Sequence, residues 1–127
     1  MDANVVLWVL QGLLALAFLG AGVNHILNFE RMALQPRMSW VTAVGRGRLR
    51  IIGVLEVLGA IGVSLPAVTG VLAWLVPTAA AALALLMVFA SVLHLRRPGE
   101  APNVAVNAVL GALALAVAVG RTVIAPF

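Results

Sequence analysis

Apolar residues run almost unbroken through four stretches of this chain, and the polar residues gather between them. Residues 5–27 are interrupted only by Gln11 and, near the end, by Asn24 and His25. Residues 49–65 form the shortest stretch, carrying Arg50 and Glu56 and stopping before Pro66. Residues 71–95 are alanine-rich and meet Arg96, Arg97 and Pro98, with Pro77 early enough to kink the first turns. Residues 104–124 close the series, with Arg121 in the last turn. A helix needs roughly 20 apolar residues to cross the hydrocarbon, with a range of about 17–25. The pattern therefore predicts an all-α fold: one domain over residues 1–127, an integral membrane antiparallel four-helix bundle. A basic loop occupies residues 28–48. Ala15, Leu16 and Ala17 resemble a signal-peptidase site, but no positive side chain precedes the first stretch. Its apolar run also exceeds the usual length of about 7–15 residues, so the expectation is an uncleaved first helix.

Composition excludes the alternatives. Of 127 residues, 64% are hydrophobic and 9% charged, against about 45–50% and about 25% in ordinary globular domains. So few charges cannot coat a small soluble protein, and disorder requires the opposite balance. The absence of cysteine removes disulfide frameworks, cysteine-bound zinc, iron–sulfur clusters and thiol redox chemistry. All eight basic side chains are arginine, and the net charge is +4. Because the arginines adjoin apolar spans, the expected partners are anionic lipid headgroups, not nucleic acid.

The arginines also set an orientation. Arg31, Arg37, Arg46, Arg48 and Arg50 flank the first long connection, and Arg96 and Arg97 the third; only Arg121 lies at the opposite end. Seven against one places both basic loops in the cytoplasm and both termini outside, as in a multi-pass membrane protein. Arg46, Arg48, Arg50, Arg96 and Arg97 are read as headgroup and orientation residues. Arg121 is read as snorkelling to the outer interface, and Trp40 and Trp8 as anchors at the two faces. Small residues should join the helices: Ala108, Ala112, Ala116 and Gly120 on the fourth, Ala17 and Ala21 on the first, Gly53 and Ala60 beside Glu56 on the second.

Polar side chains within a span are costly and so carry information. Glu56 lies roughly 8 Å into the second helix. His94, with Ser91 on nearly the same face, sits in the last turn of the third. Asn24 and His25 end the first helix, and Asn103 and Asn107 begin the fourth, so all these groups fall in one leaflet. Glu56, His94, Asn24, His25 and Asn107 are the candidates for ligand or proton binding, with Glu56 and His94 read as a pair. A structural carboxylate and a helix-end histidine meeting headgroups or the helix dipole are the plainer readings. Two histidines on different helices also meet a necessary condition for b-type haem ligation, far from a sufficient one. The Gly45-Arg46-Gly47-Arg48 run reads as either a lipid anchor or a phosphate cradle. No catalytic nucleophile–base arrangement and no nucleotide loop is present.

The run from Arg50 through Gly53 and Glu56 to Leu65 and Pro66 resembles the second helix of the DoxX-like family. Residues 85–97, ending His94-Leu95-Arg96-Arg97, resemble its third helix, and the small-residue fourth helix closing on Gly120 and Arg121 fits as well. The resemblance implies a bacterial four-helix inner-membrane protein, linked through the family's name to a membrane subunit associated with thiosulfate:quinone oxidoreductase. Where the family usually has a lysine near the end of the first helix, this chain has Asn24 and His25. The expectation is a membrane subunit that binds a partner or a lipid-like ligand such as a quinone, with no reaction of its own. The alternative is a small proton-coupled transporter. Small multidrug resistance proteins share the size and the single membrane carboxylate, but theirs lies in the first helix among aromatic residues.

Overall fold

The computed structural model describes residues 2–127. The Asp2 carboxylate accepts the Val5 N–H at 2.9 Å and caps α1 (Ala3–Leu27), satisfying one of the donors a helix start leaves free. The basic loop is folded, through α2 (Phe29–Ala33), a 3-10 turn (Pro36–Met38) and α3 (Trp40–Val44). Met32, Val41 and Leu49 bury one another there, with Phe29 and Trp40 packed around them, so this segment has a small core of its own. Gly45, at φ 91°, turns the chain into α4 (Arg46–Thr69) through a conformation that costs other residues strain.

Several helix limits differ from the hydropathy pattern. The second span does not stop at Pro66; α4 continues to Thr69, and the Gly70 N–H, at φ 73°, closes it onto the Pro66 carbonyl at 2.9 Å. A proline withdraws one N–H, whereas ending the helix would free several backbone groups. The third helix starts at Leu75, not Val71: α5 is Leu75–Leu95. Pro77 thus falls in the first turn, where its missing N–H has no intrahelical role, and it imposes no kink of the helix interior. Finally, α6 (Ala101–Val119) starts early, with Pro102 in its first turn, and runs on as a π turn over Gly120–Ile124.

Four helices are thus long and apolar enough to span a membrane, and they make an all-α membrane bundle. It consists of two close pairs, α1 along α4 and α5 along α6, joined mainly through α4 and α5. Glycines permit the approaches. A Cβ on Gly22 would lie 2.7 Å from the Gly53 carbonyl oxygen, and one on Gly53 equally close to that of Gly22. Gly59 meets Leu83, and Gly62 meets Ala79, where α4 touches α5. Leu14, Phe18, Val63, Val76, Leu83, Ala114 and Val117 form the core between them.

The expected packing stripe on the fourth helix is a correction. Ala108, Ala112 and Ala116 are exposed, and only Gly120 of that set is buried. The inward face is the neighbouring row of Gly111, Ala114 and Ala118, with Gly111 against the Met87 side chain. Several rows of this alanine-rich helix are small enough to pack, so small size alone did not identify the one used.

Arg121 is the second correction. It does not snorkel; it is 3% exposed. Its Nε donates to Gln11 Oε1 at 2.5 Å, and its Nη1 to Asn4 Oδ1 at 2.6 Å and to the Ala125 carbonyl at 2.9 Å. Its guanidinium also lies 4.1 Å from the Phe127 ring centre and 5.3 Å from that of Trp8. Gln11 in turn donates to the Val63 carbonyl. An intramembrane arginine must reach water or find acceptors inside the protein; here the two terminal segments bring the acceptors and the aromatic faces to it.

Candidate functional site

Apart from the Gln11–Arg121 network, the buried polar side chains of the spans meet in the half of the bundle beside the basic loop. The α1–α4 crossing at Gly22 and Gly53 sets the last turn of α1 against Glu56. His25 Nδ1 consequently lies 2.5 Å from Glu56 Oε1, with the carboxylate 2% exposed. The other imidazole has a different partner: His94 Nδ1 lies 2.6 Å from Glu100 Oε1, and Arg97 Nε donates to Glu100 Oε2. The expected pairing of Glu56 with His94 is therefore corrected to two separate imidazole–carboxylate pairs. The reason is the packing: α1 is the close neighbour of α4, while the short turn into α6 folds Glu100 back onto α5.

Trp40 stands between the two pairs. Its ring meets the edges of His25 and His94 at centroid distances of 5.7 and 5.0 Å. It belongs to the site rather than acting as a free interfacial anchor, because the buried Val41 beside it holds α3 against the bundle. Ligation of one haem by both histidines would require the space this indole fills. Among the described residues, no cluster of three metal-ligating side chains occurs.

Glu100 lies between α5 and α6, outside the spans. Burial pushes its carboxyl up, but the hydrogen bonds from His94 and Arg97, with the Arg97 charge, outweigh that. The group titrates below its ordinary 4.5.

Between the helix pairs lies a cavity of about 500 Å³, bordered by His25, Trp40, Glu56, His94, Asn103 and Asn107. Leu86, Met87, Phe89, Val106 and Leu110 supply its apolar wall. Its size and its few polar groups in an apolar lining are those of small-molecule sites. Two donors in this wall, Trp40 Nε1 and Asn107 Nδ2, are buried and have no hydrogen-bond partner.

Of the sequence-derived candidates, Glu56, His25, His94 and Asn107 come together around this space. Asn24 does not; its Oδ1 accepts from Asn28 Nδ2 at 2.7 Å, and its amide nitrogen lies against the Met32 sulfur, bracing the start of the loop. Arg46 is engaged by Glu30 at 2.6 Å and by the face of Phe29, whereas Arg48 borders the cavity. Arg50 is exposed. Glu100 and the role of Trp40 were not found from sequence. The one available signal for Glu100 was a lone acid three and four residues beyond two arginines and six beyond a histidine, in a turn built of proline and glycine.

Comparison with curated proteins and with solved structures gives no match. The sequence model of the DoxX-like family, in contrast, matches residues 9–117, from the first turns of α1 through most of α6, and the chain belongs to that family.

Proposed function

We propose that the protein is a membrane-embedded subunit that holds a lipid-like ligand with acceptor oxygens, of the quinone class, in the cavity between the two imidazole–carboxylate pairs. The observation that carries this reading is the pair of unsatisfied buried donors, Trp40 Nε1 and Asn107 Nδ2, in the wall of an otherwise apolar space. A buried donor left unpaired costs about 1–3 kcal/mol, and ligand carbonyl oxygens would remove that cost. Leu86, Phe89 and Leu110 suit an apolar ring and tail, and His25 with Glu56 holds a proton within reach of a ligand oxygen. In this reading electron transfer belongs to a partner protein in the same membrane. The arginine asymmetry supports a cytoplasmic basic loop, and membership of the DoxX-like family supports a bacterial inner-membrane location.

The test uses a Trp8→Phe/Trp74→Phe background, which leaves Trp40 as the only tryptophan, in nanodiscs titrated with a short-chain ubiquinone. The expected result is saturable quenching, weakened by Asn107→Leu about five- to tenfold, the equivalent of one hydrogen bond. Non-saturating quenching that Asn107→Leu leaves unchanged would refute the reading.

A further inference from the structure

A second concavity, on the basic-loop side of the bundle, is chemically unlike the first. It measures about 440 Å³ and lies between the turn that carries Arg37 and Ser39 and the turn that carries Arg96, Arg97 and Glu100. Its arginines come from chain segments far apart in sequence, brought together where Trp40 of the folded loop sits against His94 of α5. The Glu100 carboxylate is already engaged by Arg97 and His94, whereas Arg37 and Arg96 have no ion-pair partner among the described residues. Three arginines and one carboxylate border the cleft, which leaves two positive charges to be matched.

The frame of this cleft is stiff. Pro36, Pro98 and Pro102 border it, each with a fixed φ, and Gly99 makes its turn at φ 78°. A site whose backbone is set before binding loses little entropy when it is filled. Guanidinium groups match phosphate oxygens in bidentate geometry, and a phosphomonoester carries about −1.5 to −2 charges at pH 7, against one for a diester.

We propose that this cleft is a phosphomonoester-binding site, with Arg37 and Arg96 as its two free guanidiniums and Arg97, held in place by Glu100, as the third. The phosphate is that of a lipid headgroup or of a small soluble molecule; the site chemistry is the same for both. The proposal is independent of what fills the apolar cavity.

The experiment is native mass spectrometry of the full chain released from neutral detergent, with phosphatidic acid and phosphatidylglycerol of identical acyl chains as probes. The protein should retain phosphatidic acid at roughly tenfold lower lipid concentration than phosphatidylglycerol, since about 1.4 kcal/mol of extra charge pairing is tenfold in affinity. Arg37→Gln/Arg96→Gln should abolish that preference. Arg46→Gln, at the Glu30 pair away from the cleft, should keep it. Excess inorganic phosphate distinguishes the sources: displacement of phosphatidic acid assigns a soluble phosphate, and persistence of the lipid assigns the headgroup. Equal retention of the two lipids by the unaltered protein would overturn the proposal, whatever the variants do. So would an undiminished preference in the folded double variant.

Discussion

Gln11→Leu is the substitution with the largest predicted effect for the smallest change in shape. Gln11 is 2% exposed, and its Oε1 accepts from Arg121 Nε at 2.5 Å. Leucine nearly conserves the volume, so no sizeable cavity opens, and lipid provides no compensating hydrophobic gain. What is lost is a hydrogen bond to a buried cation, about 1.5–3 kcal/mol, from a guanidinium whose Nη2 already has no partner. The Val63 carbonyl also loses the Gln11 amide, but it lies within α4, whose backbone bonds remain. A destabilisation of about 2–4 kcal/mol is expected. Arg121→Leu should cost less, about 0–2 kcal/mol, because removing the charge relieves its desolvation while orphaning the Gln11 oxygen. The double variant leaves neither group orphaned, so the cycle should show a coupling of at least about 1.5 kcal/mol. Unfolding in mixed micelles of mild detergent and dodecyl sulfate, followed by circular dichroism, measures all four proteins. Additivity within about 0.5 kcal/mol, or a neutral Gln11→Leu, would mean that the guanidinium reaches the interface and that its buried network does not hold the termini.

Gly22→Ala should destabilise by about 1–3 kcal/mol, because its Cβ would stand 2.7 Å from a backbone oxygen of α4. Gly12→Ala, with nothing within 4 Å, should instead add about 0.5–1 kcal/mol through helix propensity; midpoints in the same assay decide both. Glu100→Gln should lower the thermal midpoint at neutral pH. Since the folded carboxyl titrates below 4.5, its contribution is complete above that value and vanishes as pH falls through the folded one. Wild type and variant should therefore converge as the pH falls below the folded value, whereas a constant gap would be contrary to the linkage. Gly47→Cys and Thr69→Cys, both at exposed positions on opposite ends of α4, test the orientation in intact cells. Only Thr69→Cys should react with an impermeant maleimide, and labelling of Gly47→Cys would invert the topology.

The four spans were legible because hydrocarbon demands length and apolarity, and the chain shows both without interruption. Their limits were less so. Pro66 and Pro77 look alike in sequence, yet one sits inside α4 and the other in the first turn of α5, a difference set by which backbone groups need partners. Glu56 and His94 could be placed at similar depth from helix rise alone, but depth does not determine neighbours. The partners of both followed from the pairing of α1 with α4 and of α5 with α6, which is a tertiary outcome. Arg121 shows the same limit: nothing local distinguishes an arginine bound for the interface from one that meets Gln11, more than a hundred residues earlier.

The placement of the close glycine contacts has a mechanical consequence. Gly59 and Gly62 join α4 to α5 in the half of the bundle that also holds Arg121 and both termini, while the cavity lies in the other half. Any tilt of one helix pair against the other would pivot near those close contacts. From Gly62 to Arg48 α4 runs about 21 Å, so a relative tilt of about 5° displaces the far end by about 2 Å. That would widen the chamber by about half the breadth of a methyl group while the glycine contacts barely shift. Trp40, in contact with both imidazoles, stands in the path of the opposite movement.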